Sequence, residues 1–280
     1  MLMKVQGLVD IPADEYHADK SVVGHSALVE MLKSPSHFKH RLDTPFTATP
    51  AMRLGTALHS AVLEPLTFST QYVVSPKFDR RKTEDKEKAK EWELQHAGKS
   101  ILTEEEMQAV QGMRAAVAAH KDAARMLQGC VTEQSYFWTD AETGIRCRIR
   151  PDGLVVDASG EVVAILDLKS ALCAAQRPFA RVMGDRGYDV QAAFYTDGLA
   201  HLVGKQVPFY LLAVENTAPH GVALYKVGQR TLEIGRSKYR TALQLLEWCR
   251  KNERWPSYQP FGDAEEIDLP HWERSISDAD

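Results

Sequence analysis

The chain has 280 residues, 44% of them apolar and 26% charged, and 34 basic against 38 acidic side chains give a formal net charge of −4. This length and apolar share suit one α/β domain over 1–280 and exclude global disorder, while the mild acidity weighs against a uniformly basic nucleic-acid binder and leaves a local basic groove open. Cys130, Cys147, Cys173 and Cys249 form no C-x-x-C pair, which removes zinc ribbons and redox dithiols, and no window approaches the roughly 20 apolar residues of a membrane span.

In chain order, 1–50 reads as a helical N-terminal part. Leu28, Met31 and Leu32 are spaced as on a helix over 26–33, with Ser26 as its N-cap, Ser34-Pro35-Ser36 as its end and a further turn or two over 36–42. The start of the chain lacks a long apolar run and carries acids early, so it does not read as a signal peptide, and the expected location is cytoplasmic, with reduced thiols. A core follows over 51–230. Its first helix, 51–64, has Leu54, Leu58, Ala61 and Val62 as an apolar stripe and ends before Pro65; Gly55 and His59 lie one turn apart on one face. Gly55 costs a helix about 1 kcal/mol against alanine, which anticipates close approach by a neighbouring element. Residues 77–99 carry dense charge of both signs and read as a solvated helix or loop; the sharper alternative puts Lys77, Arg80, Arg81 and Lys82 on phosphates. A long helix over 103–127 is expected, with Thr103 and Glu106 as a capping box.

The central segment reads as three strands, 131–139, 145–156 (interrupted near Pro151) and 162–169, joined by turns at 141–144 and 157–160 into an antiparallel meander. A helix over 188–203, strands over 206–215 and 221–227, and a C-terminal part (231–280) made of a helix over 230–252 and an irregular tail after Pro256 complete the chain. Side chains alternate along a strand, so Asp167 and Lys169 share a face while Leu166 and Leu168 point the other way. Counted outward from the turn at Ser159-Gly160, Asp152 falls at a height comparable to Asp167. Two carboxylates and an ammonium at one sheet edge suit metal-assisted phosphodiester hydrolysis: the carboxylates take a hard divalent cation, which acidifies water, and the lysine stabilises phosphoryl charge. A plain surface ion pair between Asp167 and Lys169 is the bland alternative. Arg146, Arg148 and Arg150 alternate on one strand face and are expected to touch phosphates, the alternative being an exposed face with nothing bound. Glu133 is placed beside the cation through water, or serves structure alone; Glu64 is assigned an ion pair. His37, His40 and His201 belong to no motif.

These residues form a recognisable order. Pro151-Asp152 with Asp167-Leu168-Lys169 resembles the PD-(D/E)xK nuclease signature, the helix from Gly55 through His59 to Glu64 is similar to the G-x-x-x-H-x-x-x-x-E element of its RecB-like branch, and Gln191-Ala-Ala-Phe-Tyr195 is similar to that branch's Q-x-x-x-Y element. Within the branch, His25-Ser-Ala-Leu, Ser34-Pro-Ser, Pro76-Lys-Phe-Asp-Arg-Arg81 and 145–153 resemble the RecE-like exodeoxyribonuclease VIII nuclease domains of prophage recombination systems, over about 8–260. The resemblance implies a restriction-endonuclease-like α/β core with a central mixed sheet flanked by helices. It implies Mg²⁺, replaceable by Mn²⁺, on His59, Asp152, Asp167 and the Leu168 carbonyl, with Lys169 catalytic and Gln191 and Tyr195 lining the site. It further implies a DNA exonuclease that removes one strand of linear duplex from its 5′ end and leaves a 3′ overhang, with DNA ends and a single-strand annealing protein as partners. The implied assembly is a ring-shaped homo-oligomer, a tetramer first. Alternatives are a same-fold endonuclease and a catalytically silent DNA-binding recombination module. The four-cysteine spacing of iron–sulfur relatives is lacking, so no such cluster is expected.

Overall fold

In the computed structural model, which describes residues 7–45, 47–79, 81–259, 262 and 264–269, helices α1 (Ala13–Ala18), α2 (His25–Lys33), α3 (Pro35–Asp43), α4 (Pro50–Leu63) and α5 (Pro65–Gln71) come first. Strand β1 (Tyr72–Val74) then pairs in parallel with β2 (Ser100–Leu102), with α6 (Thr83–Gln95) between them, and α7 (Glu104–Ala119) and α8 (Lys121–Gln128) follow. The central run is β3 (Cys130–Thr132), β4 (Tyr136–Thr139), β5 (Arg146–Ile149), β6 (Gly153–Val156) and β7 (Val162–Ala171). The chain goes on through α9 (Gln176–Asp185), α10 (Tyr188–Val203), β8 (Phe209–Glu215), β9 (Val222–Lys226) and α11 (Gln229–Asn252).

The main sheet has the order β3-β6-β7-β8-β9, with β7 and β8 parallel and the other neighbours antiparallel. Strand β7 is central and buried on both sides. Its Ile165 belongs to one apolar layer with Phe209 and Leu211, α2, α10 and α11; its Leu166 and Leu168 belong to the other, with Leu212, α4 and α7. The alternation expected along 162–169 is therefore real, and its two faces feed two separate cores. Helices α10 and α11 cross so closely that a Cβ on Gly235 would stand 2.0 Å from the Asp189 carbonyl oxygen, so no other residue fits there.

Several sequence expectations need correction. The meander is not one sheet. Strand 145–156 breaks at Arg150-Pro151-Asp152, as the interruption expected near Pro151 anticipates, since proline cannot donate to a ladder, whereas expected strand 131–139 breaks at Glu133, whose φ is +56°. The halves distal to these breaks, β4 and β5, form their own two-stranded sheet, and only β3, β6 and β7 stay together. Helix 103–127 is two helices: the His120 backbone is extended, and its Nδ1 accepts from the Ala123 N–H at 3.3 Å to cap α8. Ser26 lies inside α2, whose N-cap is Gly24 without a side-chain bond. The Thr103–Glu106 capping box is present. Gly55 faces β7, with Ser170 Oγ at 3.5 Å from a built Cβ, an ordinary contact that would admit alanine. The charged segment is mostly the solvated α6, with Lys77 paired to Glu105 at 2.9 Å; Arg80 lies outside the described residues. Glu64 joins α4 to α5 and makes no ion pair among the described residues.

Because β7 is buried on both faces, Ile165→Ala and Leu166→Ala are each expected to cost about 2–5 kcal/mol in urea unfolding. A large loss at one position and none at the other would contradict a strand covered on two sides.

Candidate active site

The register of the β6–β7 hairpin sets the site. Gly153 pairs with Leu166, so Asp152, one residue before β6, comes level with Asp167 on β7. Pro151 turns the chain away to β5 at this point, which leaves Asp152 at a corner where its carboxylate reaches across to β7. Its Oδ2 accepts the Leu168 N–H at 2.7 Å. From the layer on the other side, α4 brings His59 to the same edge: Nε2 lies 2.7 Å from the Leu168 carbonyl oxygen and Nδ1 3.4 Å from Asp152 Oδ2. Asp167 Oδ2 lies 2.6 Å from the Lys169 ammonium, and Asp167 Oδ1 accepts from Gln191 Nε2 at 2.6 Å. Side-chain exposure rises from 0% at Asp167 through 14% at Asp152 and 16% at Lys169 to 28% at His59, so the cluster opens on the His59 side.

The charges are tightly interdependent. Burial, then the neighbouring Asp152 charge, raises the Asp167 carboxyl to about 6, against the pull of Lys169. Burial also works against ionised Asp152, but the His59 and Lys169 charges and the hydrogen bonds outweigh it and hold Asp152 below its ordinary value. Burial opposes a charged His59; Asp152 reverses this and lifts the imidazole to about 9. Lys169 is kept charged by Asp167 and Asp152 in spite of its burial, and its ammonium stands 4.7 Å from the centre of the Tyr188 ring.

The donor chemistry suits a hard divalent cation: two carboxylates, a backbone carbonyl and an imidazole. As it stands, the cluster is closed on itself. Among the described residues no group of three or more His, Cys, Asp and Glu side chains stands ready-made to hold a metal ion. Gln191 and Lys169 occupy both oxygens of Asp167, and His59 is turned onto the Leu168 carbonyl. A cation would enter by taking over these oxygens, and His59 would have to shed its proton to ligate it.

The remaining expected residues separate. Gln191 is in the cluster, and Tyr195, one turn along α10, is buried beside it with its ring 5.4 Å from that of His25. The arginines do not form an open stripe. Arg148 is buried and donates to the carbonyls of Tyr16 and Asp19. Arg150 donates to Glu133 Oε2 at 2.6 Å, to the Ile11 carbonyl at 2.7 Å and to Ser135 Oγ at 3.1 Å. Both guanidiniums are thus spent on fastening the N-terminal segment to the β4–β5 hairpin, and the expectation of phosphate contact from them is corrected; only Arg146 remains exposed. Glu133 is held by Arg150, and its carboxyl is raised by burial and by Asp152. Two residues were missed. Tyr188 lies under Lys169, and its position one turn before Gln191 on a single helix could have pointed to it. His25 abuts Tyr195, and burial, then the Lys169 charge, depresses its imidazole to about 3; no spacing ties it to the other motifs.

Comparison with known proteins supplies context. A family model described as a PDDEXK-like domain of unknown function (DUF3799) matches residues 24–269. Among solved structures, a candidate exonuclease from Eubacterium rectale superposes with a TM-score of 0.62 at 13% identity, covering 96% of this chain and 98% of its own. An alkaline exonuclease from Laribacter hongkongensis aligns over 86% of this chain and 97% of its own at 12% identity, with a TM-score of 0.30, too low to relate the two in detail. No curated protein matches in sequence. The architecture is the α/β PD-(D/E)xK restriction-endonuclease-like fold, a central mixed sheet flanked by helices.

Asp167 gives a test by linkage. Its folded value, about 6, exceeds its ordinary 3.8, so the native state holds this proton more tightly than the unfolded chain. Stability from this group is complete below about pH 4 and is lost as pH rises through about 6. In chelator-containing buffer, Asp167→Asn should therefore gain on the wild type between pH 4 and 7, by on the order of 2 kcal/mol. A stability difference flat across that range would remove the buried-carboxylate account.

Proposed function

This chain belongs to the PDDEXK-like domain family, and on that footing we propose that it is a metal-dependent deoxyribonuclease, an exonuclease acting on linear double-stranded DNA. The observation that carries the reading is the meeting of Asp152, Asp167, Lys169 and His59 at one rim of the sheet, fixed by hairpin register and by α4. A surface ion pair has no use for two carboxylates at this burial, since their repulsion costs stability.

A divalent cation, Mg²⁺ or Mn²⁺, held by Asp152, Asp167, His59 and the Leu168 carbonyl would polarise the phosphodiester and acidify water. The other steps fall to the chain. Gln191 fixes the Asp167 carboxylate in one orientation through its amide N–H. Lys169, held between Asp167 and the Tyr188 ring, places a permanent positive charge where the phosphoryl group gains negative charge. The Leu168 N–H anchors Asp152. The packed Tyr195 and His25 rings close the α10 side and limit water there.

The finer reading is removal of one strand from the 5′ end, leaving a 3′ overhang for an annealing protein, by a ring-shaped oligomer of a cytoplasmic recombination system. Its support is the motif order from His25 to Tyr195 and the likeness of those stretches to RecE-like exodeoxyribonuclease VIII domains. The arrangement has no feature that favours an endonuclease or a silent module over this.

End-labelled linear duplex should be shortened in Mg²⁺ while covalently closed circular duplex survives, and Asp167→Ala should lower the rate at least about a thousandfold while still folding. Mn²⁺ at ~100 times its Kd should raise the wild-type Tm by roughly 5 °C and leave the Asp167→Ala Tm unmoved. Nicking of closed circles would replace the exonuclease with an endonuclease; a folded protein that neither shifts with Mn²⁺ nor cuts DNA would sink the enzyme.

A further inference from the structure

Of the arginines assigned to phosphate from sequence, Arg148 and Arg150 turn inward and Arg146 stays exposed; further exposed positive charge lies on α9, whose buried face packs on the ring beneath Lys169. This helix follows β7 directly, three residues past Leu172, and leads into α10. Its buried face is set by Phe179, which packs against Tyr188, the ring beneath Lys169. Met183, one turn on, packs on the same core. Arg177 and Arg181 sit two positions either side of Phe179, about 200° round the helix, and are exposed. They lie one turn apart, about 6 Å along the axis. Gly184 continues the same face and has nothing within 4 Å of where a Cβ would stand, so the face is open along its length. Arg186 follows, also exposed. Among the described residues none of these three guanidiniums has an ion-pair partner, although this chain pairs Arg125, Arg150, Arg236 and Arg240 with acids. At the entry to α9, Leu172 is 85% exposed.

Three exposed guanidiniums on one ten-residue helix and its C-cap concentrate positive charge in a chain whose formal net charge is −4. A guanidinium forks onto phosphate oxygens and is weakly hydrated, so a phosphate row is its natural partner. We propose that the exposed face of α9, through Arg177 and Arg181 with Arg186 at its end, seats the sugar–phosphate backbone of duplex DNA next to the catalytic cluster. This rests on the nuclease reading and supplies it with the substrate-holding surface that Arg148 and Arg150 do not provide. The link Phe179–Tyr188–Lys169 makes the seat rigid relative to the lysine, so a strand lying on α9 is held at a fixed distance from the site.

The test is the double variant Arg177→Gln/Arg181→Gln, with Arg114→Gln/Lys121→Gln, exposed on the helices of the opposite layer, as a charge-matched control. Binding to a linear duplex is measured in Ca²⁺ across a salt series, and cleavage in Mg²⁺. The α9 variant should bind at least about tenfold more weakly, lower the slope of log K against log salt by about 2, and raise KM with kcat within about twofold; the control should match the wild type. Its Mn²⁺-induced rise in Tm should persist, which separates a lost seat from a damaged metal cluster. Unchanged affinity and salt slope in the α9 variant, with wild type still cutting DNA, overturn the seat alone, including the case in which this face serves an acidic protein. A wild type that neither binds nor cuts duplex overturns the nuclease reading and the seat together.

Discussion

A carboxylate with no solvent exposure, on a strand buried from both sides, is the constraint around which this molecule is arranged. Asp167 stands where the sequence has just supplied five apolar residues, Val162 to Leu166, and such a group is costly unless it is paired and hydrogen-bonded. The fold provides both partners from its own backbone logic: Lys169 two residues along the same strand, and Gln191 from the helix that covers that face. It also adds an aggravation, the second carboxylate of Asp152, which pushes Asp167 upward instead of relieving it. Structure alone would be served better by an apolar residue or an amide at either position. Repulsion between two buried carboxylates is the kind of perturbation that functional sites carry, and it is in line with the nuclease proposed for this cluster.

Asp152 reaches this position because a strand is interrupted. Had β5 run on into β6, the backbone before Gly153 would have continued in the sheet ladder and Asp152 would have been one more ladder residue. Pro151 removes a donor at that step, β5 departs to pair with β4, and the Asp152 carboxylate is left at a corner where it caps the Leu168 N–H. The departing hairpin then needs an anchor of its own. Arg148 and Arg150 supply it by gripping the carbonyls of Ile11, Tyr16 and Asp19, with the Tyr16 ring 4.6 Å from the Arg148 guanidinium. Those arginines serve the site through the backbone they steady.

This explains what the sequence made legible and what it did not. Period-two alternation across 162–169 is a local property, so the shared face of Asp167 and Lys169 and the opposite face of Leu166 and Leu168 could be read directly. Hairpin counting outward from Ser159-Gly160 placed Asp152 level with Asp167; the Val156–Val162 pair next to the turn is out of step by one residue, and the bulge between Val155 and Val156 restores the register that the count assumes. Helix α4 was legible from its apolar stripe, and helices were expected over 188–203 and 230–252, where α10 and α11 stand. The failures share one cause, tertiary context. Alternating arginines look the same whether a strand faces solvent or an N-terminal segment folded over it. The break at His120 is written in a side-chain cap that only the folded α8 reveals. His25 is 34 residues from His59 in sequence, and only the packing of α2 onto α10 brings it to Tyr195.

The distribution of charge gives the last step. On the proposed function, a chain with a formal net charge of −4 would hold a polyanion by concentrating its positive potential, because a diffuse surplus is absent. Most of its arginines near the site are neutralised by acids or backbone carbonyls, and α6 and the first turn of α7 carry acids that would repel a duplex approaching over β1 and β2. In the proposed reading, the exposed guanidiniums of α9 offer a duplex an approach along the helix that follows β7.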